Sequence, residues 1–168
     1  MSAPTGEAFS GAVSGSPRLE ALGFTVAVPP GWDLRIYRRR PGGGETYPIL
    51  HAATLPLPPN RGDFGGGVVE RMRPGDLFAA VLDYGPLRQP TPLFAATRPP
   101  WPLRPSDFRP SVLHRALGGQ TGTQRFFCAA GRKLCLYAAL AGARPGGTTL
   151  GRLNELLAGL TIGPWSPP

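Results

Sequence analysis

Gln124-Arg-Phe-Phe-Cys-Ala-Ala-Gly-Arg-Lys-Leu-Cys-Leu-Tyr-Ala-Ala-Leu140 is the stretch on which the fold turns. Two apolar runs flank a glycine, and Gly131-Arg132, with glycine first, suits a two-residue type II′ hairpin turn. Counting outward, that turn pairs Ala130 with Lys133, Ala129 with Leu134, Cys128 with Cys135, Phe127 with Leu136 and Phe126 with Tyr137. Side chains alternate across a strand. One face therefore carries Phe126, Cys128, Cys135 and Tyr137, and the other Phe127, Ala129, Leu134 and Leu136. Both are apolar, so both must be covered, and the ribbon predicts a sheet held between two layers.

Working outward, Leu77-Phe-Ala-Ala-Val-Leu82 is a continuous apolar run bounded by Pro74-Gly75 and Gly85-Pro86. Its length fits a strand buried on both faces and places it centrally in the sheet. Phe24-Thr-Val-Ala-Val28 alternates in period two up to Pro29-Pro30-Gly31, and Trp32, Leu34 and Ile36 then alternate with Asp33, Arg35 and Tyr37. That pattern predicts two strands around a tight turn. Ile49 to Leu55 makes a third strand, Val68 to Met72 one or two helical turns, and Ser111 to Leu117 a strand with Val112, His114 and Ala116 on one side. Between Gly85 and Pro110 the density of proline, which offers no ladder donor, predicts surface loop. Thr148-Thr149 caps an amphipathic helix whose Leu150, Leu153, Leu156, Leu157 and Leu160 face inward, with Arg152 and Glu155 facing away and Gly163-Pro164 as the stop.

The chain has 168 residues, the length of one domain, with 24 Gly and 22 Pro; 41% hydrophobic content argues against wholesale disorder. Residues 1–17, rich in Ser, Gly, Ala and Pro, read as a flexible leader, and residues 18–168 as a single α+β domain with a Pro-rich loop at about 85–110. No apolar run is long enough for a spanning helix and the start lacks the pattern of a signal peptide, so a cytoplasmic location is expected. Net charge is +8 with a pI near 10.7. Lys133 is the only lysine in a chain heavy in Arg, Gly, Ala and Pro, residues that share G/C-rich codons. The arginines are spread out apart from Arg38-Arg39-Arg40, so the basic balance does not make a nucleic-acid stripe.

The order of elements runs from an extended segment ending in Val28-Pro29-Pro30-Gly31-Trp32, through a strand meander with Pro-rich excursions, to a late hairpin and a closing helix bearing Leu156-Leu157-Ala-Gly-Leu160-Thr-Ile. Over residues 24–162 this outline resembles the PsbP-like fold family. The resemblance implies an antiparallel sheet covered by helices on its faces, an α/β/α sandwich, and a binding or assembly role more often than catalysis. It carries over no site residue.

Two His and two Cys without ligand spacing give no metal site, and no cofactor motif is present. In the expected register Cys128 and Cys135 form a wide, hydrogen-bonded pair, poorly spaced for a disulfide, which predicts two reduced, buried thiols. There is no Gly-x-Ser-x-Gly elbow; His51 and His114 lie in strand-like segments and read as structural. Asp33, Asp63, Asp76, Asp83 and Asp107 adjoin turn signals, where Asp commonly binds local backbone. Gly65-Gly-Gly67 has no Walker lysine and reads as a hinge. Pro99-Pro100-Trp101-Pro102-Leu103-Arg104 matches a Pro-x-x-Pro-x-Arg ligand of polyproline-reading domains. The residues so singled out for a partner protein are Pro99, Trp101, Pro102 and Arg104, together with Arg38, Arg39 and Arg40. The sequence thus predicts a non-catalytic cytoplasmic binding or assembly module. The alternative is a small-molecule binder or enzyme with a pocket between sheet and loops near Trp32, His51, Trp101 or His114; a nucleic-acid-contacting protein is the third reading.

Overall fold

The computed structural model describes residues 16–39, 47–113 and 117–165, with Arg39 described by its backbone alone. The expected leader, Arg40 and His114 lie outside these residues, except that Ser16 and Pro17 are described. Among the described residues, eight strands make two antiparallel sheets. The larger has the order β3-β4-β5-β7-β6, built from β3 (Asp33–Arg39), β4 (Tyr47–Ala53), β5 (Leu77–Pro86), β6 (Gln120–Ala129) and β7 (Arg132–Ala141). The smaller, β1-β2-β8, joins β1 (Arg18–Ala21), β2 (Phe24–Ala27) and β8 (Leu160–Ile162). The single α-helix among the described residues, α1 (Gly147–Ala158), runs between β7 and β8.

The late ribbon is a hairpin buried on both faces, with a different turn from the one expected. The turn residues are Ala130 and Gly131, both at positive φ (49° and 73°), as a type I′ turn requires. Phe126 therefore faces Cys135 and Cys128 faces Lys133, so the expected Cys128:Cys135 pair does not form and neither cysteine is in a disulfide. This shift moves each pairing by two residues and leaves the face of every side chain unchanged. Phe127, Leu134 and Leu136 join one core with Leu50, Leu77, Val81, Phe24, Val26 and the α1 leucines 150, 153, 156 and 157. Cys135 and Tyr137 join a second core with Ile49, Phe78, Leu82, Val68, Val69 and Leu113. We call these the helix face and the loop face.

The helix-covered sandwich expected from the sequence is thereby corrected. One face is covered by α1 together with the small sheet, and the other by irregular chain between β4 and β5 and by Leu113. The reason is local. Residues 54–72 contain three Pro and four Gly, which cannot hold a helix, yet Leu55, Leu57, Phe64, Val68 and Val69 supply the apolar area a cover needs.

Smaller expectations change with it. The two early strands do not form a hairpin, because β2 belongs to the small sheet and β3 to the edge of the large one. β2 instead turns back onto β1 through Leu22 and Gly23, both at positive φ. β5 is the central strand, as its apolar run predicts, and Val69–Arg71 forms a 3-10 turn. The expected strand at Ser111 to Leu117 begins as the 3-10 turn Pro110–Val112. The cap of α1 is Gly146, with the two threonines inside the first turn, and Leu160 starts β8.

Candidate functional site

Strand register places Arg35 opposite His51, His51 opposite Ala80, Ala80 opposite Tyr137, and Tyr137 opposite Gln124. A row of polar side chains thus crosses the loop face, dipping at Ala80. Its members hold the chain that covers them. The Arg35 guanidinium donates to the carbonyls of Pro58 and Asn60, the latter at 2.9 Å. From the neighbouring row, the Tyr37 hydroxyl donates to the Gly62 carbonyl at 3.1 Å. His51 is fully buried, its ring edge-on to Tyr37 and Phe78 with centroids 5.2 Å from each.

The partners of His51 fix its tautomer. Arg35 donates to Nδ1 from Nε and Nη2 at 3.2 and 3.1 Å, so Nδ1 carries the lone pair, and Nε2–H donates to the Asp63 carbonyl at 3.1 Å. Burial is the chief cause of a pKa lowered to about 4; the Asp63 carbonyl opposes that fall and the Arg35 charge adds to it. Both nitrogens are committed and the ring is neutral at pH 7. His51 is a post for the loop, with no free site to accept a substrate proton.

The held segment then passes through Gly65, Gly66 and Gly67, all at positive φ (93°, 62° and 96°). A Cβ on Gly66 would lie 2.1 Å from the Asn60 carbonyl oxygen, and one on Gly65 2.3 Å from Val68 Cγ1. Only glycine permits this path. It borders an open cavity of about 250 Å³ whose walls include Asp63, Phe64, Gly66, Gly67, Glu70 and Tyr137. Aromatic rings, two carboxylates, a phenol and bare backbone are the mix that positions a small polar organic molecule.

The residues singled out for a partner protein do not converge. Trp101 is half-buried, edge-on to Phe127 of β6 with centroids 5.6 Å apart. Asn154 of α1 clamps Leu103, two residues on, at both ends, accepting from its N–H at 2.7 Å and donating to its carbonyl at 3.0 Å. Pro99, Pro102 and Arg104 are exposed around this anchored point. Arg38 and Arg39 end β3, at the opposite edge of the sheet, four strand spacings or roughly 19 Å away. Trp32 lies on the helix face with the Arg152 guanidinium over its ring, whereas His51 lies on the loop face.

Asp76, Asp83 and Asp107 do accept local backbone N–H groups, from Arg73, Gly85 and Arg104, each at 2.7 Å. Asp33 instead reaches across to the Leu57 N–H at 2.8 Å. Asp83 also takes part in a pair the sequence reading missed. Arg132, 1% exposed, donates to Asp83 Oδ2 from Nε and Nη2 at 3.2 and 2.9 Å. Its remaining N–H groups reach the carbonyls of Gly23 (2.9 Å), Gly163 (3.2 Å) and Leu22 (3.4 Å), and its guanidinium lies 4.4 Å from the Phe24 centroid. All five donors are used, and the large sheet is tied to one end of the small one, where the β1–β2 turn lies beside the end of β8. Strand parity was the available signal, since position 132 shares the inward face of Leu134 and Leu136.

Burial pushes the Cys128 thiol up, and its Sγ donates to the Phe94 carbonyl at 3.1 Å. Among the described residues no group of three His, Cys, Asp or Glu could hold a metal ion, and no helix is long and apolar enough to cross a membrane. No family model, curated protein or solved structure matches this chain.

Proposed function

We propose that this protein binds a small polar organic molecule in the cavity beneath the Gly62–Gly67 loop, and that it does so without transforming it. The observation that carries this reading is the hydrogen-bonded support of the loop. Half-buried Arg35 and buried Tyr37 and His51 spend donors on four successive stations of backbone, Pro58, Asn60, Gly62 and Asp63. A hinge would need none of these bonds; a preformed binding loop needs its backbone fixed before the ligand arrives. His51, which donates to the Asp63 carbonyl in the cavity wall, has both nitrogens occupied, which favours binding over acid-base chemistry at the imidazole. The binding role implied by the PsbP-like resemblance is retained here with a small molecule as the occupant. A macromolecular docking patch has less support: Leu93 is the only large hydrophobic residue strongly exposed among those described, and the Trp101 loop is anchored to α1.

A fragment screen of small polar amines, acids and amides, read by amide NMR shifts on wild type and on Glu70→Trp, tests the proposal. Expected are saturable shifts at Gly66, Gly67 and Glu70 that disappear when the indole plugs the cavity mouth. Shifts confined to Pro99–Arg104, or unaffected by the plug, would replace this reading with the assembly module.

A further inference from the structure

A second cavity, of about 460 Å³, opens at the far end of the large sheet, where β4 begins, β5 ends and β7 begins. Its walls include Tyr47, Tyr84 and Trp165 as rings and Arg88 and Lys133 as cations. The register there is irregular: β5 bulges between Asp83, opposite Leu134, and Pro86, opposite Arg132. Bulges of this kind re-aim side chains, and they concentrate near binding sites. Gly85 sits in the bulge at φ 84°, and a Cβ there would come 2.8 Å from Tyr47 Cε1. The missing side chain is what lets the Tyr47 ring lie against the strand. The bulge is held from below, because Asp83 Oδ1 accepts the Gly85 N–H at 2.7 Å while Oδ2 binds the buried Arg132. From outside, Leu87 N–H donates to the Gly131 carbonyl at 2.8 Å.

Charge distinguishes this cavity from the others that carry arginines. Beside Arg109 and Arg125, Asp107 pairs with Arg125; beside Arg71 and Arg73, Asp76 occupies the wall. Here no carboxylate of the described residues lines the wall, and neither Arg88 nor Lys133 is paired with a described acid. Lys133 Nζ lies 5.8 Å from the Phe94 centroid, on an aromatic base that leaves its charge unneutralised. Among the described residues, three rings and two cations face this cavity with no anion beside them.

We propose that this cavity binds a planar aromatic anion, its ring among Tyr47, Tyr84 and Trp165 and its carboxylate or phosphate at Arg88 and Lys133. The volume suits a bicyclic ring system with one acidic group. This site is separate from the cavity beneath the glycine loop, so either proposal can fail without the other.

The test is an NMR titration of the full chain with indole-3-carboxylate, its uncharged analogue indole-3-carboxamide, and inorganic phosphate. The carboxylate is expected to shift the Trp165 indole and the Arg88 and Lys133 amides in a saturable manner, binding about tenfold or more tightly than either other probe. The double variant Arg88→Gln/Lys133→Met, at exposed and half-buried positions, is expected to weaken the carboxylate about tenfold and leave the carboxamide unchanged. Trp165→Leu should weaken both organic probes. Equal binding of carboxylate and carboxamide, indifference to the double variant, shifts located only at Gly66–Glu70, or no saturable shift would each overturn the proposal.

Discussion

The two faces of the large sheet solve the same problem by opposite means. On the helix face, leucines at helical spacing on α1 close over Leu134, Leu136 and Val81, and the buried ion pair Asp83–Arg132 uses every donor of its guanidinium. On the loop face, irregular chain is held by donors aimed at its carbonyls, and a cavity remains. Apolar cover made of regular structure fills space, whereas cover made of tethered backbone can leave room for a ligand. On the proposed reading, stability resides chiefly on one face and ligand binding on the other.

That contrast can be broken most sharply at Arg132. Arg132→Met leaves the Asp83 carboxylate buried without its partner, and the expected loss is about 4 kcal/mol in urea unfolding. The double variant Asp83→Leu/Arg132→Met should recover most of it, because the uncompensated charge is gone. A single-variant loss under about 1 kcal/mol would show that the clasp between the two sheets is incidental.

A smaller effect comes from the loop face and depends on pH. His51 titrates near 4 in the folded chain, against an ordinary value of 6.5. Between those values the unfolded chain binds the additional proton, so stability rises with pH. The contribution is constant above about pH 6.5, falls as pH drops toward 4, and amounts to about 3 kcal/mol across the window. His51→Gln should flatten that part of the pH profile. An unchanged slope in the variant would mean that His51 is not held neutral by burial.

How much of this was legible depended on side-chain chemistry. The hairpin's two greasy faces, the central position of Leu77 to Leu82 and the leucine stripe of α1 follow from period and volume alone, which survive errors of register. The turn did not. Placing Arg132 in a type II′ turn put it outside; the type I′ turn at Ala130-Gly131 makes it the first residue of β7, pointing inward. That one-residue difference concealed the ion pair and, with it, the reason the small sheet docks where it does. The loop face was hidden for another cause. Arg35, Tyr37 and His51 bond to carbonyls 12 to 25 residues away, and a backbone carbonyl has no sequence signature. Gly65-Gly-Gly67 read as a hinge because composition reports freedom, while three positive φ values and close approach to Asn60 and Phe78 report constraint. The motif around Trp101 had the opposite fate, since its pattern was visible and its anchoring to Asn154 was not.

The central claim is that polar side chains on the loop face hold the cavity-forming segment in place. Hydrogen exchange of the Gly65 and Val68 amides, which donate to Gly62 and Gly65 within that segment, measures it directly in wild type and in Arg35→Met. Faster exchange by about tenfold or more at those two amides, with the β5 and β7 amides unchanged, is the predicted result. Unaltered protection at Gly65 and Val68, or equal loss throughout the sheet, would contradict it.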